Sequence, residues 1–248
     1  MDLKEFFRQH PKAAIAFSGG VDSSYLLYAA LQCGADVRAY YVKGAFQPQF
    51  ELDDAQRLAR DIHAPMTVLR ADVLRDETVT ANPANRCYYC KKAVFSSIAQ
   101  AALADGYTVL LDGTNASDDA GDRPGMRALQ ELQVLSPLRL CGLTKPEIRR
   151  LSKEARLFTW DKPAYACLAT RIPTGEKITA EKLSATESAE GELFAMGFTD
   201  FRVRWYAGAA RLQFPAVQLP RVLERREEIL TKLKKYYPAV LLDLEVRG

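Results

Sequence analysis

The chain has 248 residues, with 34 basic against 31 acidic side chains and a net charge of +3. Its 48% hydrophobic and 26% charged content is that of a globular protein with a substantial core, which excludes global disorder, and so small a basic surplus gives no support to a coat for duplex nucleic acid. No run approaches the roughly 18 apolar residues of a membrane span, and the acidic opening Met1-Asp2-Leu3-Lys4-Glu5 is not a secretory signal, so a cytoplasmic location is expected.

The first half alternates two periodicities. Ala13 to Phe17 is a short apolar run ending in Ser18-Gly19-Gly20, and residues 21–32 place Leu26, Leu27, Ala30 and Leu31 at helical spacing. Asp36 to Val42 reads as a strand, Phe50 to Ile62 as a helix and Pro65 to Leu69 as a third strand. A helix from about Tyr88 to Ala104 and a strand from Thr108 to Leu111 follow. Strands separated by helices of ten or more residues predict βαβ units and a parallel sheet. Thr144 and Glu147 have capping-box spacing at the head of a helix that runs to about Ala155. Residues 159–177, with Pro163, Pro173 and Gly175, read as a structured loop at a domain junction.

The last 70 residues change style. A helix covers about Ala180 to Met196 and closes at Gly197, then strands Phe201–Trp205 and Ala210–Phe214 flank a turn at Gly208. A helix from Pro220 to Tyr236 would place Val222, Leu223, Ile229, Leu230 and Leu233 on one face, and Val240 to Leu244 closes as a strand. The expected fold class is α/β: a parallel-sheet domain over residues 1–160, a junction loop over 161–178 and a small α+β domain over 179–248.

The sharpest motif is Ser18-Gly19-Gly20-Val21-Asp22-Ser23-Ser24, between an apolar strand and a helix. Glycines let successive backbone N–H groups close around phosphate oxygens, and the following helix adds its positive N-terminal end. Ser18, Ser23 and Ser24 offer hydroxyl donors, while Asp22 suits a Mg²⁺ that bridges phosphates. No Gly-Lys-Ser/Thr follows, so this is not a Walker A loop. It resembles the PP-loop of the ATP pyrophosphatase superfamily, whose members split ATP between its α and β phosphates. A second loop, Asp112-Gly113-Thr114-Asn115 with Asp118 and Asp119 beyond, follows a strand. Parallel sheets gather such loops at strand C-terminal ends, so the two can face one ATP site, although Gly-Thr-Asn alone also reads as a plain turn.

Cys87-Tyr88-Tyr89-Cys90 has C-x-x-C spacing and cationic neighbours in Arg86, Lys91 and Lys92. Zinc, a redox disulfide and an iron–sulfur cluster all fit that spacing. There is no second C-x-x-C, and the histidines are His10 and His63 alone. Of the other cysteines, Cys167 in Ala166-Cys167-Leu168-Ala169-Thr170-Arg171 is the best third ligand, whereas Cys33 and Cys141 read as small apolar residues. Three thiolates on a [4Fe-4S] cluster leave one iron open to hold a sulfide.

A resemblance now runs along nearly the whole chain. Besides Ser18–Ser23 it is carried by Asn85-Arg86-Cys87-Tyr88-Tyr89-Cys90-Lys91, Asp112-Gly113-Thr114-Asn115, Asp122-Arg123-Pro124-Gly125, Ser136-Pro137-Leu138, Leu143-Thr144-Lys145 and Lys162-Pro163-Ala164. It continues through Cys167-Leu168-Ala169-Thr170-Arg171-Ile172-Pro173, Arg202-Val203-Arg204, Ala210-Arg211-Leu212 and Leu242-Asp243-Leu244. These strings resemble the LarE family of ATP-dependent sulfur transferases. The resemblance implies a PP-loop domain followed by a small α+β domain. It also implies adenylation of a carboxylate of a pyridinium dicarboxylate mononucleotide and its conversion to a thiocarboxylate, for the nickel-pincer nucleotide cofactor. Some members use a single cysteine at the position of Cys167 as a sacrificial donor, leaving dehydroalanine. Cys87, Cys90 and Cys167 resemble the three-cysteine, cluster-dependent type. The chain departs from the family at Thr170, where Ser is common, at Tyr206, near which a His is common, and at Gln213, where an acid is common.

Arg202 and Arg204 lie two apart on a predicted strand, so both point to one face, where two guanidinium forks suit a phosphomonoester. Arg171 and Arg211 could join them, and Arg247 more remotely; the same pattern also fits a solvated strand face. The resemblance makes Glu190 a candidate active-site carboxylate beside Cys167, although most helical glutamates merely meet solvent. The expected partners are the mononucleotide, a sulfide source and further copies of the chain, with neither membrane nor nucleic acid. The competing functions are a PP-loop tRNA thiolation enzyme and a non-catalytic nucleotide-binding protein.

Overall fold

A computed structural model describes residues 1–118 and 124–247; Asp119, Asp122 and Arg123 of the motifs above lie outside the described residues. In chain order the elements are α1 (Leu3–Gln9), β1 (Lys12–Ala16), α2 (Val21–Gln32), β2 (Asp36–Lys43), α3 (Gln49–Asp61), β3 (Met66–Arg70), α4 (Glu77–Thr80), α5 (Arg86–Ala104) and β4 (Leu110–Leu111). There follow α6 (Pro124–Glu131), α7 (Pro137–Leu140), α8 (Lys145–Glu154), α9 (Ala180–Ala195), β5 (Arg202–Tyr206), β6 (Ala209–Gln213), α10 (Leu219–Glu224), α11 (Arg226–Leu233) and β7 (Val240–Leu242). Two compact units result. One holds Met1–Val73 and Asn85–Lys162, the other Leu74–Ala84 and Pro163–Gly248, so the chain passes between them three times. The segment 163–178, expected as a separate junction, counts with the second unit, and so does 74–84.

The first unit is built on a parallel sheet in the order β3-β2-β1-β4. Its strands are apolar on both faces because helices cover both. Ala13, Ile15, Val37, Ala39 and Tyr41 pack with Leu26, Leu27 and Ala30 of α2, while Ala14, Tyr40 and Val42 pack with Phe95, Ile98 and Ala102 of α5. This is the α/β layer expected from the alternating periodicities. The capping box at Thr144 and Glu147 is formed at the head of α8. Four short helices, α1, α4, α6 and α7, lie outside the helices expected from the sequence. In α1 only Phe6 and Phe7 are buried, too few residues to show a helical period. α5 begins at Arg86 rather than Tyr88, which brings both cysteines of the C-x-x-C string into the helix.

The second unit has a three-stranded sheet in the order β5-β6-β7. β5 and β6 are antiparallel and joined by Ala207 and Gly208, whose φ values of 48° and 84° define the two-residue turn that matches the twist of a hairpin. α9 ends, as expected, at a left-handed Gly197. The helix expected over 220–236 is instead two, broken at Arg225 (φ −96°, ψ 20°). That residue lies in the charged run Glu224–Glu228, which has no apolar anchor, and its guanidinium donates to the Met196 carbonyl and to Glu228. Val222, Ile229 and Leu233 are buried on both sides of the break, but Leu223, expected with them, is 62% exposed. Among the described residues no helix is long and apolar enough to cross a membrane.

Candidate active site

In the first unit, β1 runs into Phe17 and Ser18, the chain turns at Gly19 (φ +72°), and Gly20 caps α2 in extended conformation. A Cβ on Gly19 would stand 3.0 Å from the Ala55 Cβ of α3, so the turn needs glycine for both its dihedral and its space. Ser23 braces the loop: its Oγ lies 3.0 Å from Ser18 Oγ, accepts from Ser18 N and donates to the Gly20 carbonyl. Ser18 is exposed and Gly20 half-buried, leaving loop groups open to a ligand. Ser24, expected among the donors, is fully buried with its hydroxyl enclosed, and so does not face that ligand side.

The Asp112–Asn115 loop does reach this turn. A Cβ on Gly113 would lie 2.9 Å from Ser23 N and 3.1 Å from its Cα, so the loop backbone presses directly against the first turn of α2. Thr114 and Asn115 shape the loop rather than present side chains. Asp112 accepts from Thr114 Oγ1 at 2.5 Å and from Ser136 Oγ at 2.6 Å, Asn115 Oδ1 accepts from Ser117 N, and Thr114 and Asn115 are both buried.

Two lysines that carried no role in the sequence reading close the site. Lys145, first residue of α8, donates to Asp22 Oδ2 at 2.6 Å. Asp22 Oδ1 is buried and has no hydrogen-bond partner among the described residues. Burial pushes the Asp22 carboxyl above its ordinary range, against the pull of Lys145. Lys162 lies between Glu51 (3.2 Å) and Asp54 (2.8 Å) and reaches the Gly19 carbonyl at 3.5 Å, which ties α3 to the loop. Both lysines stand in the quoted strings Leu-Thr-Lys and Lys-Pro-Ala; tertiary contacts, not spacing, bring them to the loop.

Cys87 and Cys90 sit one turn apart in the first turns of α5, hence on one side of it. Cys87 is exposed and Cys90 half-buried, and Arg86 donates to Cys87 Sγ at 3.7 Å. Cys167 is half-buried at the head of a short 3₁₀ turn over Leu168–Arg171, in the second unit. Cys33 and Cys141 line the core of the first unit, as expected of small apolar residues. Among the described residues no three His, Cys, Asp or Glu side chains gather as a metal site.

The arginines of the second unit hold the Cys167 segment by its carbonyls. Arg202 donates to Ala164 O at 2.6 Å, Arg171 to Ala166 O at 3.1 Å and Arg204 to Thr170 O at 2.9 Å. Thr170 in turn donates through N and Oγ1 to the Cys167 carbonyl. Arg171 is 1% exposed and forked onto Glu190, whose Oε1 also accepts from Val203 N at the free edge of β5 and whose Oε2 accepts from Tyr165 OH. Glu190 is thus fully engaged inside the unit. Arg202 is 4% exposed, and burial together with Arg171 and Arg247 brings its pKa down to about 10. Arg204 and Arg211 are half-buried and directly opposite each other across β5 and β6. Arg247 pairs with Asp200 at 2.8 Å.

A parallel sheet with a glycine turn at the C-terminal end of β1, a second loop packed on the helix that follows and the half-buried Asp22 in that helix's first turn define an α/β protein of the PP-loop kind. No protein-family model matches the chain. An uncharacterized protein of Synechocystis is 36% identical over 98% of this chain and 92% of its own length. The pyridinium-3,5-bisthiocarboxylic acid mononucleotide synthase of Lactiplantibacillus plantarum is 30% identical over 94% of this chain and 86% of its own. A tRNA-specific 2-thiouridylase of Thermotoga is 25% identical over 58% of this chain and 52% of its own. The chain belongs to the LarE family of ATP-dependent sulfur transferases, within the PP-loop superfamily.

Proposed function

We propose that the protein uses ATP to adenylate a carboxylate of a pyridinium dicarboxylate mononucleotide and exchanges one oxygen of that carboxylate for sulfur, a step in making the nickel-pincer nucleotide cofactor. The observation that carries the ATP reading is the seating of Gly113 on the first turn of α2 beside the Ser18–Ser23 turn, with Asp22 between. The substrate reading rests on the near full-length likeness to the mononucleotide synthase.

The substrate carboxylate attacks the α-phosphorus of ATP, pyrophosphate leaves, and the acyl-adenylate then yields AMP to an incoming sulfur. Backbone N–H groups of Ser18 to Ser23 and the head of α2 would bind the departing pyrophosphate where its charge develops. Lys145, paired with Asp22, and Lys162, paired with Glu51 and Asp54, brace that turn. The unpartnered Oδ1 of Asp22 suits a hard cation, so Asp22 would hold Mg²⁺, which offsets phosphate charge when bound.

Cys87, Cys90 and Cys167 are the thiols that would hold a [4Fe-4S] cluster; such a cluster would carry a sulfide from a separate source and present it to the activated carbon. Arg171 and Arg202 fix the backbone around Cys167, while Arg204 and Arg211, more accessible, would take the substrate phosphate.

The test is anaerobic purification with iron and sulfide analysis, then measurement of AMP and pyrophosphate release with and without the mononucleotide. Substrate-dependent pyrophosphate release and iron lost on Cys87→Ala, Cys90→Ala or Cys167→Ala are expected. ADP and phosphate as products would overturn the ATP chemistry. Stoichiometric zinc without iron, or conversion of Cys167 to dehydroalanine in one turnover, would overturn the cluster. Thiolation of tRNA with none of the mononucleotide would overturn the substrate.

A further inference from the structure

β3 is the outermost strand of the first unit's sheet, in the order β3-β2-β1-β4. Its register against β2 runs unbroken from Met66 to Arg70, and none of the devices that blunt an exposed edge (Pro, Lys or a bulge) interrupts it. In a parallel ladder alternate residues turn both their N–H and their C=O to the same neighbour. Ala39 N donates to the Pro65 carbonyl and Ala71 N to the Lys43 carbonyl, so the odd-numbered residues of this stretch face β2. The N–H and C=O groups of Met66, Val68 and Arg70 therefore point to the open edge. Among the described residues none of these groups has a hydrogen-bond partner.

The side chains along this edge carry a pattern of their own. Val68, at the middle of the strand, is 37% exposed, and with Met66 it shares a shallow groove with Gln56 and Arg60 of α3 and with His63 just beyond that helix. Asp53, Gln56 and Arg60 stand at i, i+3 and i+7, so they form one stripe along α3. Asp53 and Arg60 are exposed, and neither makes an ion pair among the described residues; Asp53 accepts a hydrogen bond from the Gln49 side chain. The edge thus has unpaired backbone groups, an apolar centre and one uncompensated charge of each sign beside it.

We propose that the free edge of β3 is an interface between two copies of this chain, which joins their four-stranded sheets through antiparallel β3 strands and lays α3 beside α3. A two-fold axis through Val68 puts Val68 opposite Val68 and Met66 opposite Arg70. Every outward N–H of one strand then meets an outward C=O of the other, and no like charges stand opposite each other. The groove links Val68 to Gln56, so the same axis passes beside the middle of α3. Two antiparallel α3 helices then bring Asp53 of each copy to Arg60 of the other. A strand from a different protein would satisfy the backbone equally well but would leave these two charges unmatched; a second copy answers both requirements with one symmetry operation. The proposal is independent of the reaction assigned above.

The test is analytical ultracentrifugation of the full chain, in wild type, Val68→Pro, Arg60→Glu and the double variant Asp53→Arg/Arg60→Glu. Wild type is expected to contain an even number of copies, because an isologous contact joins copies in pairs. Val68→Pro deletes an N–H that points away from β2, so the chain's own ladder stays complete while the centre of the interface loses a donor from each copy. That variant should sediment with half the wild-type number of copies. Arg60→Glu turns both symmetry-related attractions into repulsions and should raise the dissociation constant by about 5- to 30-fold, and the double variant, which exchanges the charges, should return it to within about 3-fold of wild type. An odd number of copies in wild type, a monomer included, overturns the proposal and leaves the edge to an extended segment of another protein. A folded Val68→Pro protein that keeps the wild-type assembly also overturns it. Should Val68→Pro fail to fold, the charge exchange decides. Loss in Arg60→Glu with recovery in the double variant supports the interface; a single variant as tight as wild type, or a double variant as weak as the single, overturns it.

Discussion

Replacing Glu190 by glutamine separates chemistry from architecture in the second unit. The Glu190 carboxylate accepts from Arg171 twice, from Tyr165 and from Val203 N, and the side chains of Glu190 and Arg171 are 2% and 1% exposed. An amide of the same volume brings an N–H₂ into a ring of donors. Turned one way it faces Arg171 Nε and Val203 N; turned the other it faces Arg171 Nη2 and the Tyr165 hydroxyl. The buried guanidinium also loses its counter-charge. Breaking such a pair from one side costs about 3–5 kcal/mol. At roughly 4–8 °C per kcal/mol for a domain of this size, the second unit should melt at least ~12 °C lower. The assay is scanning calorimetry of wild type, Glu190→Gln and the double variant Glu190→Leu/Arg171→Met, with pyrophosphate release followed at a temperature where all are folded. Removing both charges together should recover much of the lost stability, because no unpaired ion remains. A Glu190→Gln protein that melts with wild type yet loses turnover 100-fold would refute the reasoning and make Glu190 a group that acts on the substrate.

Three further outcomes follow from the geometry. Gly113→Ala sets a methyl against the Ser23 backbone, 2.9 Å from N, and should cost about 1–3 kcal/mol in urea denaturation, whereas Gly191→Ala, with open space around it inside α9, should gain about 0.5–1 kcal/mol. The Asp22 carboxyl is raised by burial in the fold, so its stability contribution is present below the ordinary aspartate value of about 3.9 and lost as pH rises through the folded value. Asp22→Asn should therefore melt above wild type at neutral pH, with the gap closing in acid, while turnover falls; an unchanged gap across that range would contradict the assignment. Asn82→Ala removes donors to the Ile172, Pro173 and Glu176 carbonyls, and hydrogen exchange at Gly175 and Ile178 should quicken, with a stability loss of about 1–3 kcal/mol.

The parallel sheet and the phosphate turn were legible because both rest on local signals: apolar runs of strand length, then glycines and serines at a helix start. Legibility declined where long-range contacts decide. Arg202 and Arg204 do share a face, as alternation requires, but sequence spacing could not show that carbonyls of Ala164 and Thr170 would claim them. Lys145 reaches Asp22 across 123 positions, a pairing with no periodic trace. Ser24 looked equivalent to Ser23, yet one step along a helix turns a side chain by about 100°, enough to send it into the core. The break at Arg225 was hidden because Val222, Ile229 and Leu233 keep a helical pattern on both sides of it.

The three passages of the chain between its units have a consequence for how this protein can be taken apart. Residues 74–84 are covalently embedded between two halves of the first unit, yet the Asn82 side chain and the Thr80 and Asn82 carbonyls serve the stretch 172–178 of the second. A fragment beginning at Pro163 would leave Gly175 N, Ile178 N and the Pro173 carbonyl without those partners. The second unit is therefore not a detachable tail. A protease nick after Lys162 would leave it held by two other peptide connections, and a chimera that borrowed it from a relative would need two separate pieces of coding sequence, an internal eleven-codon insert and the 3′ end, exchanged together.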